Sequence, residues 1–516
     1  MGPGERSDGG ASLADLLGAF SLATDLGLGQ PMEHVLRAWW IASRLGERTG
    51  LDDAGRADLY YTAVLAWVGC VADTPEVASW FGDDIAFRAD SFHVDFSGLP
   101  AMAFMVRHAG AGSSPWHRAR LATTLVATRA RGIEHGLLSH CVSASTMAER
   151  LGLGPDVRDG LRQFFCRWDG TGVPDGVGGD EITRSMRLFH LADVVEVFHR
   201  TAGVEAAVEV ARARRGTKFD PEVVDAFCAA APEVLAGLSD DLDLGAEVAG
   251  DPHLRRPLAG RDLDGALEVV ADFTDLRSSF RAGHSRGVAR LAGAAAEVAG
   301  LPAGDVEAVR RAGLLHDVGL HGVPASILDK PGKLTASEGE RVRARSYYTE
   351  RVLARIPPLA PLIEIVDPAP RGRGPAGGPV TGRILAAADA FRAMTEDRPH
   401  RPALSVKAAT TALHDDVRAG RLGADAVDAV LVGAGAAPPR RRSGPAGLTP
   451  REVEVLVLVA RGASTRQVAR RLGITPKTAG THIERIYAKT GVSTRSGASL
   501  LAVQHGLLDS LEPLQA

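Results

Sequence analysis

A histidine and an aspartate stand side by side at the end of an apolar helical segment, as His316-Asp317. Burying such a pair costs free energy unless both side chains find partners, and a divalent metal is one such partner. Imidazole nitrogens and carboxylate oxygens suit Zn, Mn, Fe or Mg, and a bound metal can lower the pKa of a water molecule toward neutrality. His284 on an earlier helix and Asp389 on a later one could complete a set of four ligands. The pair alone also fits a simpler arrangement, in which a buried histidine bonds to the neighbouring aspartate.

The segments around this pair carry a longer pattern. They read HDVGLHGVPASILDKPGKLT from residue 316, YYTERVLARIP from residue 347 and RILAAADAFRAMTEDRPHRP from residue 383. The stretch 262–435 resembles the HD-GYP branch of the HD metal-dependent phosphohydrolases. The matching residues are Gly322-Val323-Pro324, Ile327-Leu328, Lys330-Pro331-Gly332-Lys333-Leu334 and Ala388-Asp389. The resemblance implies one divalent metal held by His284, His316, Asp317 and Asp389. It further implies that His316 and Asp317 are the catalytic pair.

Several residues of the family pattern are absent from this stretch. Leu320 stands where a lysine usually follows, and Arg345 or a neighbour replaces a histidine before the paired tyrosines. Ile365-Val366-Asp367-Pro368 replaces a double histidine, and an Arg/Gly/Pro stretch (370–379) replaces the GYP loop. In the family these groups serve a second metal and the cyclic dinucleotide. We therefore expect at most one metal, no other cofactor, and no hydrolysis of cyclic di-GMP.

The first half of the chain, residues 13–238, looks like a diverged copy of this unit. FFCRWDGTGVPDGVGGDEI (164–182) keeps the family's loop, with Gly172-Val173-Pro174 in the GYP position, and RRGTKFDPEVVDAF (214–227) keeps its closing signature. Duplication would explain why two apolar cores of similar length occur in series.

The metal positions of this first copy are largely replaced. His34 and Asp193 remain where ligands would lie, but Ala66-Trp67 occupies the HD position and Phe164-Phe165 the double-histidine position. Apolar side chains cannot coordinate a metal. We therefore predict that the first copy is a non-catalytic scaffold or a sensor. A composite site, in which its loop covers the metal of the second copy, is the alternative.

The C-terminal segment from Leu448 is a run of short helices, of which the third is basic. Thr475 can cap this helix, and Pro476 suits its first position. One face is an apolar stripe of Ala479, Ile483, Ile486 and Tyr487. The other face carries hydrogen-bond donors, namely Lys477, Thr478, Thr481, His482, Arg485 and Lys489. A helix that packs on one side and offers donors on the other can lie in the major groove of DNA.

This segment resembles the LuxR-type helix-turn-helix of bacterial transcription regulators. The matching residues are Leu448-Thr449-Pro450-Arg451-Glu452, Val468-Ala469, Leu472, Pro476-Lys477-Thr478, His482, Ile486-Tyr487, Lys489 and Gly491-Val492. The resemblance implies binding of double-stranded DNA, usually by a homodimer. We expect base contacts from Thr478, His482 and Arg485. We expect phosphate contacts from Lys477, Thr481 and Lys489. A protein-docking module with a solvated basic face is the alternative.

Composition agrees with a soluble protein that has one DNA-binding end. Apolar residues make up 45% and charged residues 24% of the 516 positions, which is ordinary for globular chains. From Arg440 onward there are twelve basic and five acidic residues, a balance of about +7, so the remainder is near −11. Phosphates would therefore attract only this end of the molecule.

The cysteines and the hydrophobic runs bear on location. Cys70, Cys141, Cys166 and Cys228 are spread without metal-type spacing, so we expect neither a disulfide framework nor a metal site from them. The first thirty residues lack an export signal, and no apolar run approaches the length needed to cross a bilayer. We expect a cytoplasmic protein without membrane association.

These features together predict an all-α chain of two HD-type helical domains in tandem and a small four-helix LuxR-type domain. The expected boundaries are a disordered start (1–12), the first copy (13–238), a linker (239–261), the second copy (262–435), a flexible linker (436–447) and the DNA-binding domain (448–510). The predicted function is a homodimeric transcriptional regulator whose HD-type domains act as sensor or oligomerisation modules, with a small molecule or nucleotide as effector. A metal-dependent phosphohydrolase that carries a DNA-binding domain is the alternative.

Overall fold

The computed structural model describes residues 11–128, 131–238, 242–367, 378–437 and 448–490, together with positions 492, 498, 501, 502, 505 and 507. The regular elements of these residues are helices, and none of them forms a strand of a sheet. The all-α prediction is confirmed. The chain divides into two compact units, Met1–Ala437 and Pro438–Ala516.

The first half of the larger unit contains eleven of the described α-helices. They are α1 Leu13–Gly27, α2 His34–Arg48, α3 Asp53–Ala66, α4 Cys70–Phe81, α5 Asp84–Ser91, α6 Gly98–His108, α7 Pro115–Thr128, α8 Arg131–Arg150, α9 Pro155–Arg162, α10 Arg184–Ala213 and α11 Pro221–Leu235. A short 3-10 helix, Gly179–Glu181, precedes α10.

The second half of this unit contains the next eleven. They are α12 Leu244–Gly250, α13 Gly260–Asp275, α14 His284–Ala299, α15 Ala303–Leu315, α16 Ala325–Leu328, α17 Ala336–Arg343, α18 Arg345–Leu353, α19 Ile363–Val366, α20 Val380–Thr395, α21 Val406–Arg418 and α22 Ala424–Gly433. Four 3-10 helices interrupt them, at Pro252–Leu254, Ser279–Arg281, Val318–Gly322 and Ala360–Leu362.

The two halves share one apolar core, which corrects the expected linker between them. Buried side chains of this core run from Ala11 to Leu431. Within 239–261, Leu244 and Val248 lie on α12 and are buried in the same core. Two backbone hydrogen bonds tie this stretch to the start of the first helix: Leu258 N donates to Ala11 O at 2.7 Å, and Leu13 N donates to Arg256 O at 2.8 Å. The stretch is helical and packed because its apolar residues recur at helical spacing, a pattern that its glycines and prolines obscure.

Several other expected boundaries fall partly outside the described residues. Of the predicted disordered start, residues 1–10 lie outside them, whereas Ser12 caps α1 and Ala11 is buried. Of the predicted flexible linker, 438–447 lie outside, and Ala436 and Ala437 pack against the core. Most of the shortened loop (370–379) and most of the expected last helix (494–505) also lie outside.

The two halves repeat one arrangement of helices. A residue with positive φ, Glu33 at 80° or Gly283 at 74°, precedes the helix that starts with a histidine. That helix packs against the helix that carries the aspartate, α2 against α10 and α14 against α20. Helices α4 to α7 of the first half form an apolar cluster of their own, which includes Phe81, Phe87 and Phe104. Among the described helices, none is long and apolar enough to cross a membrane.

The smaller unit, Pro438–Ala516, contains α23 Pro450–Ala460, α24 Thr465–Leu472 and α25 Pro476–Thr490. Capping boxes start the first two helices, between Thr449 and Glu452 and between Ser464 and Gln467. Such reciprocal bonds satisfy free N–H groups at a helix start. Gly473, with φ of 64°, ends α24 and allows the tight turn into α25.

Candidate metal centre and nucleic-acid interface

His284 stands at the first position of α14 and is buried. Its Nδ1 lies 2.7 Å from Glu396 Oε2, and its Nε2 lies 3.1 Å from Asp389 Oδ1. Burial would raise the pKa of Glu396, but the hydrogen bond and charge of His284 lower it overall, so this carboxylate accepts the Nδ1 proton. A neutral His284 would then turn an Nε2 lone pair toward the Asp389 carboxylate. The geometry therefore requires either a second proton on His284 or a cation between the two groups.

His316 follows the last turn of α15 and holds the tautomer that metal ligands use. Its Nδ1 donates to Gly313 O at 2.9 Å. Its Nε2 is buried without a hydrogen-bond partner, 3.1 Å from Asp317 Oδ2 and 3.8 Å from Asp389 Oδ1. Burial lowers the pKa of His316, which keeps the ring neutral. An oriented neutral imidazole with a free lone pair is typical of metal coordination.

The four residues predicted from the sequence therefore meet in one place. Asp317 Oδ2 lies 4.0 Å from His284 Nε2, and His284, His316 and Asp317 each offer one atom within 4.8 Å of the others. Burial would raise the pKa of Asp389, but the hydrogen bond from His284 and the nearby charge of Arg345 hold it well below its usual range. The orphaned Nε2 of His316 and the convergent carboxylates fit one divalent metal. Bound by these residues, such a metal would supply Lewis-acid chemistry for a phosphoester.

Two arginines also contact these carboxylates. Arg345 Nη1 donates to Asp317 Oδ1 at 2.6 Å, and its Nη2 lies 3.6 Å from Asp389 Oδ2. Arg281 forms an ion pair with the other oxygen of Asp317. The sequence pattern points to Arg345 or a neighbour as the replacement of a histidine, but it does not reveal Arg281 or Glu396, because both lie in segments whose spacing carries no periodic signal. These guanidinium groups supply positive charge where additional metal ligands are missing.

The residues after the HD pair form a tight apolar turn that positions Arg345. Leu320 is buried with Val323 and Ile327 and offers no charged group. A Cβ on Gly319 would come within 2.0 Å of the Arg345 carbonyl oxygen, so only glycine permits this approach. Gly319 N also donates to Thr349 Oγ1 at 3.0 Å. The turn thus holds α18, and with it Arg345, against Asp317.

The first copy repeats the histidine geometry of the second, but protein side chains satisfy its polar groups at the ligand positions. His34 Nδ1 lies 2.6 Å from Glu196 Oε2, and its Nε2 lies 3.2 Å from Asp193 Oδ1. Burial lowers the pKa of a histidine, but Glu196 and Asp193 raise that of His34 to about 10, so the ring is an imidazolium. Trp67 Nε1, from the replaced HD position, donates to the same Asp193 oxygen at 2.8 Å. In the first copy, the N–H groups of His34 and Trp67 therefore satisfy Asp193, whereas a metal could satisfy the corresponding Asp389 of the second copy.

The loop of the first copy lies within its own half. Gly172 and Val173 line a cavity of about 240 Å³ together with Trp67 and Asp193. A Cβ on Gly172 would come within 2.4 Å of Phe165 O, so the loop packs directly on the backbone before it. This position gives no support to the composite site in which the loop covers the metal residues of the second copy.

In the smaller unit, α25 packs one side and exposes the other. Ala479 and Ile486 are buried, and Ile483 and Tyr487 pack beside them, as the apolar stripe predicts. Thr475 Oγ1 accepts from Thr478 N at 3.1 Å, which confirms the expected cap. The exposed side chains include Lys477, Thr478, Thr481 and Arg485, and His482 is half-buried.

Lys489 has a structural contact that the sequence pattern does not reveal. Its Nζ donates to Glu452 Oε2 at 2.6 Å and links the end of α25 to the start of α23. Arg451 Nη2 likewise donates to Leu472 O at 2.6 Å and links α23 to α24. These contacts hold α25 so that its donor-rich face points away from the core.

Family comparisons agree with this division of the chain. Residues 268–425 match the family model of the HD domain, and residues 446–502 match that of the bacterial regulatory proteins of the luxR family. The chain therefore carries an HD domain and, C-terminal to it, a LuxR-type helix-turn-helix domain.

Particular relatives match each part. The 3'3'-cGAMP-specific phosphodiesterase 3 of Vibrio cholerae is 29% identical over 422 residues, which cover 78% of this chain and 91% of that protein. A crystal structure of a cyclic GMP-AMP-specific phosphodiesterase of V. cholerae matches with a TM-score of 0.59 and 26% identity, over 83% of this chain and 99% of that one. The probable transcriptional regulatory protein NarL of Mycobacterium tuberculosis is 42% identical over 89 residues, 17% of this chain and 41% of that protein.

Proposed function

We propose that this protein is a DNA-binding transcriptional regulator in which the HD-type helical unit acts as a sensor. One observation carries the proposal: protein groups already engage the aspartates at the metal positions of both copies. Asp193 accepts from Trp67 and His34, and Asp317 is held by Arg345 and Arg281. A site whose carboxylates are neutralised by fixed cations is poorly suited to the two-metal chemistry of a cyclic-dinucleotide phosphodiesterase.

The DNA-binding role is assigned to the exposed face of α25. Thr478, His482 and Arg485 would contact base edges, and Lys477, Thr481 and Lys489 would contact phosphates. The local charge of about +7 favours duplex DNA over a neutral protein partner. A homodimer would place two such helices on two half-sites and so increase affinity and specificity.

A metal-dependent phosphohydrolase with a DNA-binding domain is the second candidate. It is favoured by the orphaned His316 Nε2 and by the convergence of His284, His316, Asp317 and Asp389. In this case the substrate would be a phosphoester or nucleotide, as it is for the cyclic GMP-AMP phosphodiesterases of V. cholerae. The metal would be Zn, Mn, Fe or Mg.

Two assays separate the candidates. Selection of bound duplexes from a random pool by the full-length protein, at stated salt and with or without nucleotides, tests the regulator. Recovery of one sequence motif, with an affinity that a nucleotide alters, supports it, and failure to retard any duplex overturns it. Metal content and hydrolysis of 3'3'-cGAMP and bis(p-nitrophenyl) phosphate, compared between the wild type and a His316→Ala/Asp317→Ala variant, test the enzyme. Hydrolysis that the double variant loses would establish the second candidate.

A further inference from the structure

The cavity of the first copy has walls of two different chemistries. Trp67, Phe92, Phe164 and Phe165 give it an aromatic wall, with Trp67 4.7 Å from Phe164 and 5.3 Å from Phe92 between ring centroids. The tryptophan and phenylalanines that replaced metal-binding residues thus form part of a binding surface. Charged side chains contribute at the same cavity, namely the basic Arg88, Arg167 and Lys218 and the acidic Asp73, Glu76 and Asp193.

Some basic side chains at or near this cavity keep unsatisfied donors. Arg167, which lines the cavity, and Arg214, which lies near Lys218, are only 6% and 7% exposed. Arg167 bonds to Asp95 at 2.5 Å and its Nε lies 3.5 Å from Asp169 Oδ1, whereas Arg214 Nη1 has no hydrogen-bond partner in the described part of the chain. Lys218 is half-buried, and its Nζ has no hydrogen bond or ion pair among those found between described residues.

The charges around Lys218 are unbalanced. Burial and the nearby guanidinium of Arg214 together lower the pKa of Lys218 to about 8. Burial likewise lowers the pKa of Arg214. The neighbouring Asp193 is already engaged by His34 and Trp67. Buried cations without enough partners are costly, and an anionic ligand would remove that cost.

We infer that this cavity binds a small aromatic anion, with one ring system against Trp67 and Phe164 and a phosphate or carboxylate on Lys218 and Arg167. The volume of about 240 Å³ limits its size. Pockets for drug-sized ligands are about 300–1,000 Å³, so this cavity suits one ring system and not the two bases of a cyclic dinucleotide. The role of this ligand as effector rests on the proposed function, whereas the binding site itself does not.

Calorimetric titration of the full-length protein with four probes tests the inference. The probes are phenyl phosphate, benzoate, inorganic phosphate and benzyl alcohol, and EDTA is present so that the HD residues hold no metal. We expect at least one aromatic anion to bind, with quenching of tryptophan fluorescence because Trp67 and Trp80 line the cavity. Inorganic phosphate lacks the ring and benzyl alcohol lacks the charge, so each should bind at least about tenfold more weakly. The ranking of phenyl phosphate against benzoate identifies the anionic group.

Substitutions at Lys218 locate the binding. Lys218→Gln should weaken the binding of the aromatic anion at least about tenfold, and Lys218→Arg, which keeps the charge, should retain it. Lys330→Gln is the matched control, since Lys330 lies on another loop and pairs with Glu338. Thermal unfolding checks that each variant is folded.

Two results would overturn the inference: no binding of either aromatic anion at millimolar concentration, or equal binding by the wild type and Lys218→Gln. DNA retardation by the same preparations is scored separately. If an aromatic anion binds but the protein retards no duplex DNA, the proposed function is contradicted and the ligand site is still supported.

Discussion

Arg345 Nη1, at the start of α18, donates to the buried Asp317 Oδ1 at 2.6 Å. The contact depends on Gly319, which lets the backbone of Arg345 approach the turn after the HD pair. Asp317 is fully buried, so its charge is neutralised by Arg345 and Arg281 unless a metal competes with them. A divalent cation that bound the second copy would therefore have to compete with these guanidinium groups for Asp317.

Arg345→Ala should strengthen metal binding at this site. Removal of the guanidinium frees one oxygen of Asp317 and removes a positive charge near the incoming metal, and we expect affinity for Mn²⁺ or Zn²⁺ to rise by roughly tenfold or more. Calorimetric titration and metal content after dialysis measure the change. Arg351→Ala, an exposed change on the same helix, is the control. Equal metal affinity in the Arg345→Ala variant and the wild type would show that the arginine does not compete with the metal.

The sequence predicts the four HD residues but not the side chains that form hydrogen bonds and ion pairs with them. The quartet His284, His316, Asp317 and Asp389 could be assembled from motif spacing, because the family pattern fixes which helices carry the ligands. Glu396 and Arg281 could not be predicted, since their contacts depend on loops that bring distant segments together. The continuous core was also missed, because Leu244 and Val248 lie between turn-forming residues that look like a linker.

A buried ion pair between the two halves should make the larger unit unfold as one. Arg277 Nη1 lies 2.9 Å from Asp84 Oδ2, and Asp84 Oδ1 accepts from Ala325 N at 2.9 Å. Asp84→Asn leaves the buried Arg277 with too little negative charge, so we expect a loss of about 3–5 kcal/mol in the free energy of unfolding. Denaturant titration of the full-length protein measures this loss. Asp225→Asn, which breaks an exposed pair with Arg215, should leave the free energy of unfolding nearly unchanged, because solvent screens that pair.

Arg485→Ala should weaken specific DNA binding more than general DNA binding. If Arg485 contacts a guanine, the loss on the selected sequence is about 1–3 kcal/mol. Lys477→Ala, on the same exposed face, should weaken both by similar amounts, because a phosphate contact carries no sequence information. Competition titrations with selected and random duplexes compare the variants. Equal losses on the two duplexes for Arg485→Ala would remove its role in base recognition.

The link between Glu452 and Lys489 should make the DNA-binding unit sensitive to acid. Burial raises the pKa of Glu452, but Lys489 and the cap at Thr449 lower it overall. A carboxyl whose folded pKa is depressed contributes stability above its unfolded pKa, and this contribution is lost as pH falls through the folded pKa. Thermal unfolding of the C-terminal transition should therefore show a lower Tm below about pH 4. Glu452→Gln should lower the Tm at neutral pH and flatten the profile. Glu454→Gln, on the exposed side of α23, should leave the profile unchanged.

Binding of an aromatic anion in the first copy should weaken as pH rises through about 8, where Lys218 loses its proton. The charged groups that face Lys218 are Arg167, Arg214, Asp95 and Asp193, and Arg167 lowers the pKa of Asp95, which stays ionised across this range. Because a bound anion favours the charged amine, it should also raise the pKa of Lys218 in the complex. The effect is measured by titrating the protein with the more tightly bound aromatic anion between pH 6.5 and 9.5. This window extends about 1.5 pH units to either side of the pKa of Lys218. Lys218→Arg should bind with a flat profile, since its guanidinium stays charged. The same decline in Lys218→Arg as in the wild type would assign the titration to another group.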